Sequence, residues 1–105
     1  YNFELVFHFA AETHVDRSMF NFGEFINTNI VGAHTIVELC HHYKVKKLIF
    51  ISTDEVYGDI ETGFTNEDFK LNPSSPYSAS KTSGDLIAST YKNVQRSHHG
   101  CKEWE

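Results

Sequence analysis

Tyr77 and Lys81 stand four residues apart in Tyr77-Ser78-Ala79-Ser80-Lys81, a spacing that sets a phenol and an ammonium side by side on one face of a helix. At ~4 Å and an effective dielectric near 20, phenolate and ammonium attract by about 4 kcal/mol, or about 3 pK units. Such a pull would bring a phenol from about 10 toward neutrality, where it can act as a base. A surface tyrosine beside a lysine is the plainer alternative. In Ser52-Thr53-Asp54-Glu55-Val56-Tyr57-Gly58, hydroxyls lead into two adjacent carboxylates. Environments that push two such pKa values apart make one acid a proton donor and the other an acceptor. A solvated loop is the alternative here. The third segment, His8-Phe9-Ala10-Ala11-Glu12-Thr13-His14-Val15-Asp16-Arg17-Ser18, has small alanines that would let a flat ligand lie close to the backbone.

Other reactive side chains offer less. Cys40 and Cys101 are too few and too far apart for a disulfide framework and fit a reducing, cytoplasmic setting, and neither suggests a nucleophile. The seven histidines show no metal-binding spacing, and His98-His99-Gly100-Cys101 is the nearest thing to a ligand cluster. No metal site is expected.

The elements that must position these groups are legible from apolar patterning. Leu5-Val6-Phe7-His8-Phe9 is a nearly continuous apolar run, the pattern of a strand buried on both faces. Phe25/Ile26, Ile30, Ala33, Val37 and Cys40/His41 recur at spacings of three and four, which predicts an amphipathic helix over 23–43. Lys44, Lys46 and Lys47 crowd its end, where cations complement the helix dipole. Leu48-Ile49-Phe50-Ile51 forms a second undiluted apolar run. Strand, helix and strand within about 50 residues make one βαβ unit and argue for a parallel sheet covered by helices. The stretch from Ser52 to Pro76 is polar and broken by Gly58, Gly63, Asn66, Asn72, Pro73 and Pro76, a loop of functional length. Pro76 opens a second helix, carried to about Val94 by Ala79, Leu86, Ile87, Ala88 and Tyr91, and 95–105 read as an irregular tail. In such α/β sheets ligands sit beyond the carboxyl ends of the strands, which is where the segments that follow the two apolar runs fall.

The whole composition bounds the function classes. With 105 residues, 40% hydrophobic and 14% aromatic, the chain is one modest domain or part of one. A formal charge of −5 offers no basic field for nucleic acid or an anionic membrane. No apolar run approaches a membrane span, and Tyr1-Asn2-Phe3-Glu4 lacks a basic signal region and an initiating Met. An internal piece of a larger soluble protein is expected.

Four motifs in order carry a family resemblance: the His8–Ser18 segment, Thr28-Asn29-Ile30-Val31-Gly32, Ser52–Gly58 and Pro73-Ser74-Ser75-Pro76-Tyr77-Ser78-Ala79-Ser80-Lys81. Over residues 4–94 the chain closely resembles the dTDP-glucose 4,6-dehydratases, extended short-chain dehydrogenase/reductases that act on nucleotide sugars. The resemblance implies the central βαβα portion of a Rossmann-like, doubly wound α/β sheet that binds NAD, with residues 1–94 as the middle of that domain. It implies that Tyr77 takes the proton of the sugar 4-hydroxyl while hydride leaves C4, and that Lys81 holds the nicotinamide ribose. Glu55 then removes the hydrogen at C5 and Asp54 protonates the departing 6-hydroxyl, with Thr53 hydrogen-bonded to the sugar near C4. Hydride returned to C6 makes the net reaction a dehydration to a 4-keto-6-deoxy sugar. Phe9, Ala10, Ala11, Glu12, Thr13 and Thr28 are the implied cofactor contacts, with Thr13 also near the sugar. Asn29 matches the family's helix asparagine and is read as a buried polar bridge.

Within that superfamily the Asp54-Glu55 pair favours dehydration over epimerisation. UDP-glucose 4,6-dehydratases look alike across this stretch, so the nucleotide stays open, as does a non-catalytic binding or dimerising remnant. The Gly-rich phosphate fingerprint of such enzymes is not among these residues, so the 105-residue chain by itself is expected not to turn over. A homodimer through the two helices is implied for the full-length protein.

Overall fold

In the computed structural model, described for residues 2–58, 70–91 and 94–99, two apolar runs become neighbouring parallel strands. Leu5–His8 (β1) pairs with Lys47–Thr53 (β2), with Leu5 opposite Lys47 and His8 opposite Phe50. The expected irregular tail is corrected here: Val94–His99 form β3, parallel to β2, with Leu48 opposite Val94 and Thr53 opposite His99. Backbone pairing to an already formed strand satisfies the amides of a segment with no apolar periodicity of its own. The strand order is β1-β2-β3, so the partial doubly wound α/β sheet expected from the sequence is present. The polar cluster His98-His99-Gly100-Cys101 falls partly outside the described residues, as does most of the loop after Gly58.

Between β1 and β2 the chain runs through Val15–Ser18 (α1), Phe22–Phe25 (α2), a π-helical stretch at Ile26–Val31 and Gly32–His42 (α3). The single helix expected over 23–43 is therefore continuous in direction but wider in its middle. Its end is a Schellman turn: Val45 N–H donates to Cys40 O at 2.9 Å and Lys44 N–H to His41 O at 3.2 Å. Lys44 accordingly takes a left-handed backbone, φ 52°, and Val45 drops into the core.

That core lies on one face of the sheet. Leu48 and Phe50 of β2 pack with Ala33, Val37 and Cys40 of α3, with Val45, and with Ala88 and Tyr91 at the end of Pro76–Ala88 (α4). The Tyr91 hydroxyl reaches the carbonyls of Cys40 and Val45, tying the α4 end to the α3 turn. The opposite face departs from expectation. Leu5, Phe7 and Phe9 are exposed, Phe7 by 53%, because among the described residues the helices cover only the side to which His8, Leu48 and Phe50 point. The undiluted apolar pattern of β1 thus does not correspond to burial on both faces in this chain. Among the described residues, no helix is long and apolar enough to cross a membrane.

Helix α4 starts at Pro76, as expected, and ends at Ala88, short of Val94. Ser75 and Ser78 form a reciprocal capping box, and Ser18 Oγ accepts the Tyr77 N–H at 3.0 Å. Pro76 has no N–H, so the first turn of α4 leaves no orphan donor through Ser78.

Candidate active site

Because β1 and β2 run parallel with His8 beside Phe50, the chain leaves both strands at the same edge of the sheet. Phe9–Thr13 and Thr53–Glu55 are therefore neighbours at the carboxyl ends, the position from which α/β sheets present ligand-binding residues. A short 3-10 turn, Asp54–Tyr57, follows β2 directly, and Thr53 Oγ1 caps it by accepting the Glu55 N–H at 3.3 Å. Gly58 ends the turn at φ 78°, where a Cβ would lie 2.2 Å from the Asn72 carbonyl oxygen. Asp54 and Glu55 are exposed at the rim.

From the opposite side α4 delivers Tyr77 and Lys81. The Tyr77 hydroxyl lies beside Thr53, whose side chain favours its ionised form, and Glu55 and Asp54 are both near enough to act on its charge. Burial chiefly raises its pKa, the Thr53 side chain lowers it, and the two carboxylates raise it further. The expected depression by Lys81 does not occur in this structure: the phenol is held above its ordinary value. The physical reason is the position of the ammonium, which donates to the Ile51 carbonyl at 3.0 Å and lies 5.3 Å over the Phe50 ring. Lys81 is itself buried, and desolvation lowers its pKa against an opposing effect of Asp85.

A direct titration check follows from these signs. Removing a negative charge beside a phenol eases its ionisation, so Glu55→Gln moves the Tyr77 midpoint down. Thr53→Ala, which removes a side chain favouring the phenolate, moves it up. Tyrosine 13Cζ NMR across alkaline pH reads both, and a Glu55→Gln midpoint equal to wild type would show the carboxylate to be too distant to matter.

The Phe9–Thr13 segment is anchored from below by Asn29, the buried polar bridge expected. Its Oδ1 accepts the Glu12 N–H at 2.9 Å, and its Nδ2 donates to Glu12 O at 3.0 Å and to Ser80 Oγ at 2.9 Å. Asn29 sits on the π-helical stretch, whose extra residue per turn is a device recurrent at functional sites. Helix α4 crosses close beside it: a Cβ on Gly84 would fall 2.6 Å from the Asn29 carbonyl oxygen. Phe9, Ala10 and Thr13 are exposed, Ala11 and Glu12 half-buried, and Arg17 lies 4.0 Å from the Glu12 carboxylate. Thr28 is half-buried on the same stretch and joins the group through its neighbour Asn29.

Thr53, Asp54, Glu55 and Tyr77 are thus brought together, with Lys81 one turn along the helix. Three further groups are given no role by the sequence reading: His8 and Ser18, the two ends of the first motif, and Asp85. His8 is buried at the end of β1, stacked 5.2 Å from Phe50, and held below its ordinary pKa by burial and by the Lys81 charge. Ser18 carries a structural cap. Asp85 is visible only as a third polar residue at a four-residue step after Tyr77 and Lys81.

Residues 1–101 match the family described as GDP-mannose 4,6 dehydratase. The chain is similar to the dTDP-glucose 4,6-dehydratase of Streptomyces antibioticus, 50% identical over 86 residues that cover 82% of this chain and 26% of that protein. It is also similar to the dTDP-D-glucose 4,6-dehydratase of Dictyostelium discoideum, at 44% over 104 residues, 88% of this chain and 24% of that one. Among solved structures, the dTDP-glucose 4,6-dehydratase of Streptomyces venezuelae with NAD bound has a TM-score of 0.88 at 39% identity, covering 90% of this chain and 31% of that one. The chain spans about a quarter of the length of the curated relatives it matches. The family match also corrects the expected limit of resemblance at Val94, since it continues through β3. Running from residue 1 to residue 101 of 105, it leaves only the last four residues outside, and the chain belongs to the GDP-mannose 4,6 dehydratase family.

Proposed function

We propose that this chain is the central part of the NAD-binding domain of a dTDP-glucose 4,6-dehydratase, which converts dTDP-glucose to dTDP-4-dehydro-6-deoxyglucose and water. The observation that carries the reading is the meeting of Tyr77 with Thr53, Asp54 and Glu55 at the carboxyl end of a parallel strand. A dehydratase needs one base for a hydroxyl proton, a second for a carbon acid, and an acid for departing water. Three titratable groups at one strand tip supply that number.

The residues fit the nicotinamide end of NAD. The exposed Phe9-Ala10 backbone gives a flat surface beside small side chains, and the Lys81 ammonium, with three donors of which Ile51 O takes one, suits a ribose hydroxyl. When bound, NAD supplies the electron-pair acceptor that is used at C4 and restored at C6. Tyr77 takes the 4-hydroxyl proton as its phenolate, the form that Thr53 favours and that burial and the two carboxylates oppose. The 4-ketone acidifies the hydrogen at C5, which Glu55 removes, and Asp54 protonates the 6-hydroxyl as the C6–O bond breaks. The resemblance to dTDP-glucose enzymes at 44–50% identity supports the thymidine nucleotide, and the residues that would read the base belong to parts of such an enzyme outside this chain.

Cys40 is buried and forms no disulfide among the described residues, which is consistent with a cytoplasmic protein. A homodimer through the two long helices is supported by the outward Val31 and Leu39 before and on α3 and Leu86 on α4. The test is turnover: a protein carrying this chain at the full length of its relatives, given NAD and dTDP-glucose, yields the 4-keto-6-deoxy product. UDP-glucose as the preferred substrate would reassign the nucleotide, and a 4-epimer as the sole product would overturn dehydration. The 105-residue chain alone is expected to yield no product.

A further inference from the structure

Tyr77, Lys81 and Asp85 follow one another at four-residue steps along α4 and so share a face, and all three are buried. Asp85 is the most enclosed, at 0% exposure. Buried carboxylates are kept where something answers their charge. Ser52 Oγ, on the central strand, donates to Asp85 Oδ2 at 2.7 Å. On the residue before it, the Ile51 carbonyl takes the Lys81 ammonium, and on the residue before that, the Phe50 ring lies beneath the same ammonium. The next residue along the strand is Thr53, which lies beside the Tyr77 hydroxyl. Four consecutive residues of β2 are therefore each engaged by one of three side chains spaced along α4.

The structure assigns Asp85 as a positioning residue, which clamps the tip of β2 through Ser52 and holds the Lys81 ammonium at the strand end beside the proposed catalytic group. An amide oxygen could still accept the Ser52 hydrogen bond, though more weakly than a carboxylate does. What an amide lacks is the negative charge, and among the described residues the cation that this charge favours is Lys81. The described titratable groups that face that ammonium are His8 from β1 and Asp85 from its own helix. His8 is kept neutral by burial and by the lysine itself, so Asp85 is the one whose charge favours the ammonium form. Burial alone would push Lys81 toward the neutral amine, which cannot hold all the hydrogen bonds of an ammonium.

This inference rests on reading Lys81 as the residue that meets the cofactor ribose, but its test requires neither cofactor nor sugar. In the 105-residue chain, the Lys81 side-chain titration followed by 13Cε NMR shifts to lower pH in Asp85→Asn. A purely structural role for Asp85 leaves the Lys81 midpoint in place, and that result would overturn the assignment. If Asp85→Asn alone does not fold, the pair Asp85→Asn with Lys81→Met decides. Recovery of a folded chain when both charges are removed supports the pairing, and failure of both variants overturns it. Because dehydratase turnover is not measured, a wrong substrate would leave this outcome untouched.

Discussion

Glu55→Gln, made in a protein that carries this chain at the length of its relatives, lowers formation of the 6-deoxy product by about 10²–10⁴-fold, the usual contribution of a positioned base. The same variant still oxidises the sugar at C4, so a 4-keto nucleotide with its 6-hydroxyl intact accumulates to at most one equivalent per chain. The split follows from position. Glu55 stands at the exposed rim of the strand tip, open to a bound sugar in the proposed reading, whereas Tyr77 is buried beside Thr53. Removing the Glu55 charge also lowers the Tyr77 pKa, which makes the phenolate easier to form near neutrality and leaves the first step no slower. Tyr77→Phe serves as the contrast, because it deletes the proposed base for oxidation, and both products are expected to disappear. Mass spectrometry of the nucleotide sugar separates the two outcomes. Loss of oxidation as well as dehydration in Glu55→Gln would remove Glu55 from the role of C5 base.

What the sequence revealed and what it concealed divide along a physical line. The strand-tip segment Ser52–Gly58 was legible because an undiluted apolar run ends abruptly at hydroxyls and acids, and the start of α4 was legible because Ser75-Pro76 is a cap followed by the one residue that needs no donor partner. The buried face of α4 was not. Apolar periodicity found Ala88 and Tyr91, which lie in the core, but also pointed to Leu86, which is 52% exposed, while the other buried residues of the helix are Tyr77, Ser78, Ser80, Lys81, Thr82, Gly84 and Asp85. A helix that buries polar groups in mutual hydrogen bonds leaves no hydrophobic stripe to read. The step of four from Tyr77 through Lys81 to Asp85 was the remaining signal. The π-helical stretch was hidden for another reason, since Phe25/Ile26, Ile30 and Ala33 recur across it at spacings of three and four and so read as an ordinary α-helix. Strand β3 lacks an apolar signature and depends on pairing with β2, a tertiary effect beyond local propensity. The Tyr77–Lys81 spacing was right about the shared face and wrong about the charge effect, because spacing says nothing of a backbone carbonyl waiting for the ammonium.

The buried asparagine sets the second large effect, on stability. Asn29→Ala destabilises the chain by about 2–4 kcal/mol, a substantial part of the ~5–15 kcal/mol that holds a typical domain folded. Its amide answers three groups at once: both backbone groups of Glu12, in the segment after β1, and the Ser80 hydroxyl of α4. Each buried polar group left without a partner costs about 1–3 kcal/mol. The total is held below the sum because Glu12 is half-buried and can recruit water, and because Ser80 Oγ retains its bond to the Tyr77 carbonyl at 2.7 Å. Asn29→Asp separates hydrogen bonding from volume: a carboxylate can still accept the Glu12 N–H, but it confronts the Glu12 carbonyl with another acceptor and adds a buried charge. It is therefore expected to be no better than alanine at neutral pH. Urea unfolding of the three chains measures both differences, and an Asn29→Ala stability within about 0.5 kcal/mol of wild type, the range of an ordinary surface substitution, would show that water replaces the bridge. The functional consequence lies in what Asn29 joins. It ties the Phe9–Thr13 segment to α4 through the helix that separates them in sequence, so its loss should loosen the proposed cofactor surface relative to Tyr77 and Lys81. Faster hydrogen exchange at the Glu12 amide in Asn29→Ala, with the β2 amides unchanged, is the local signature of that uncoupling.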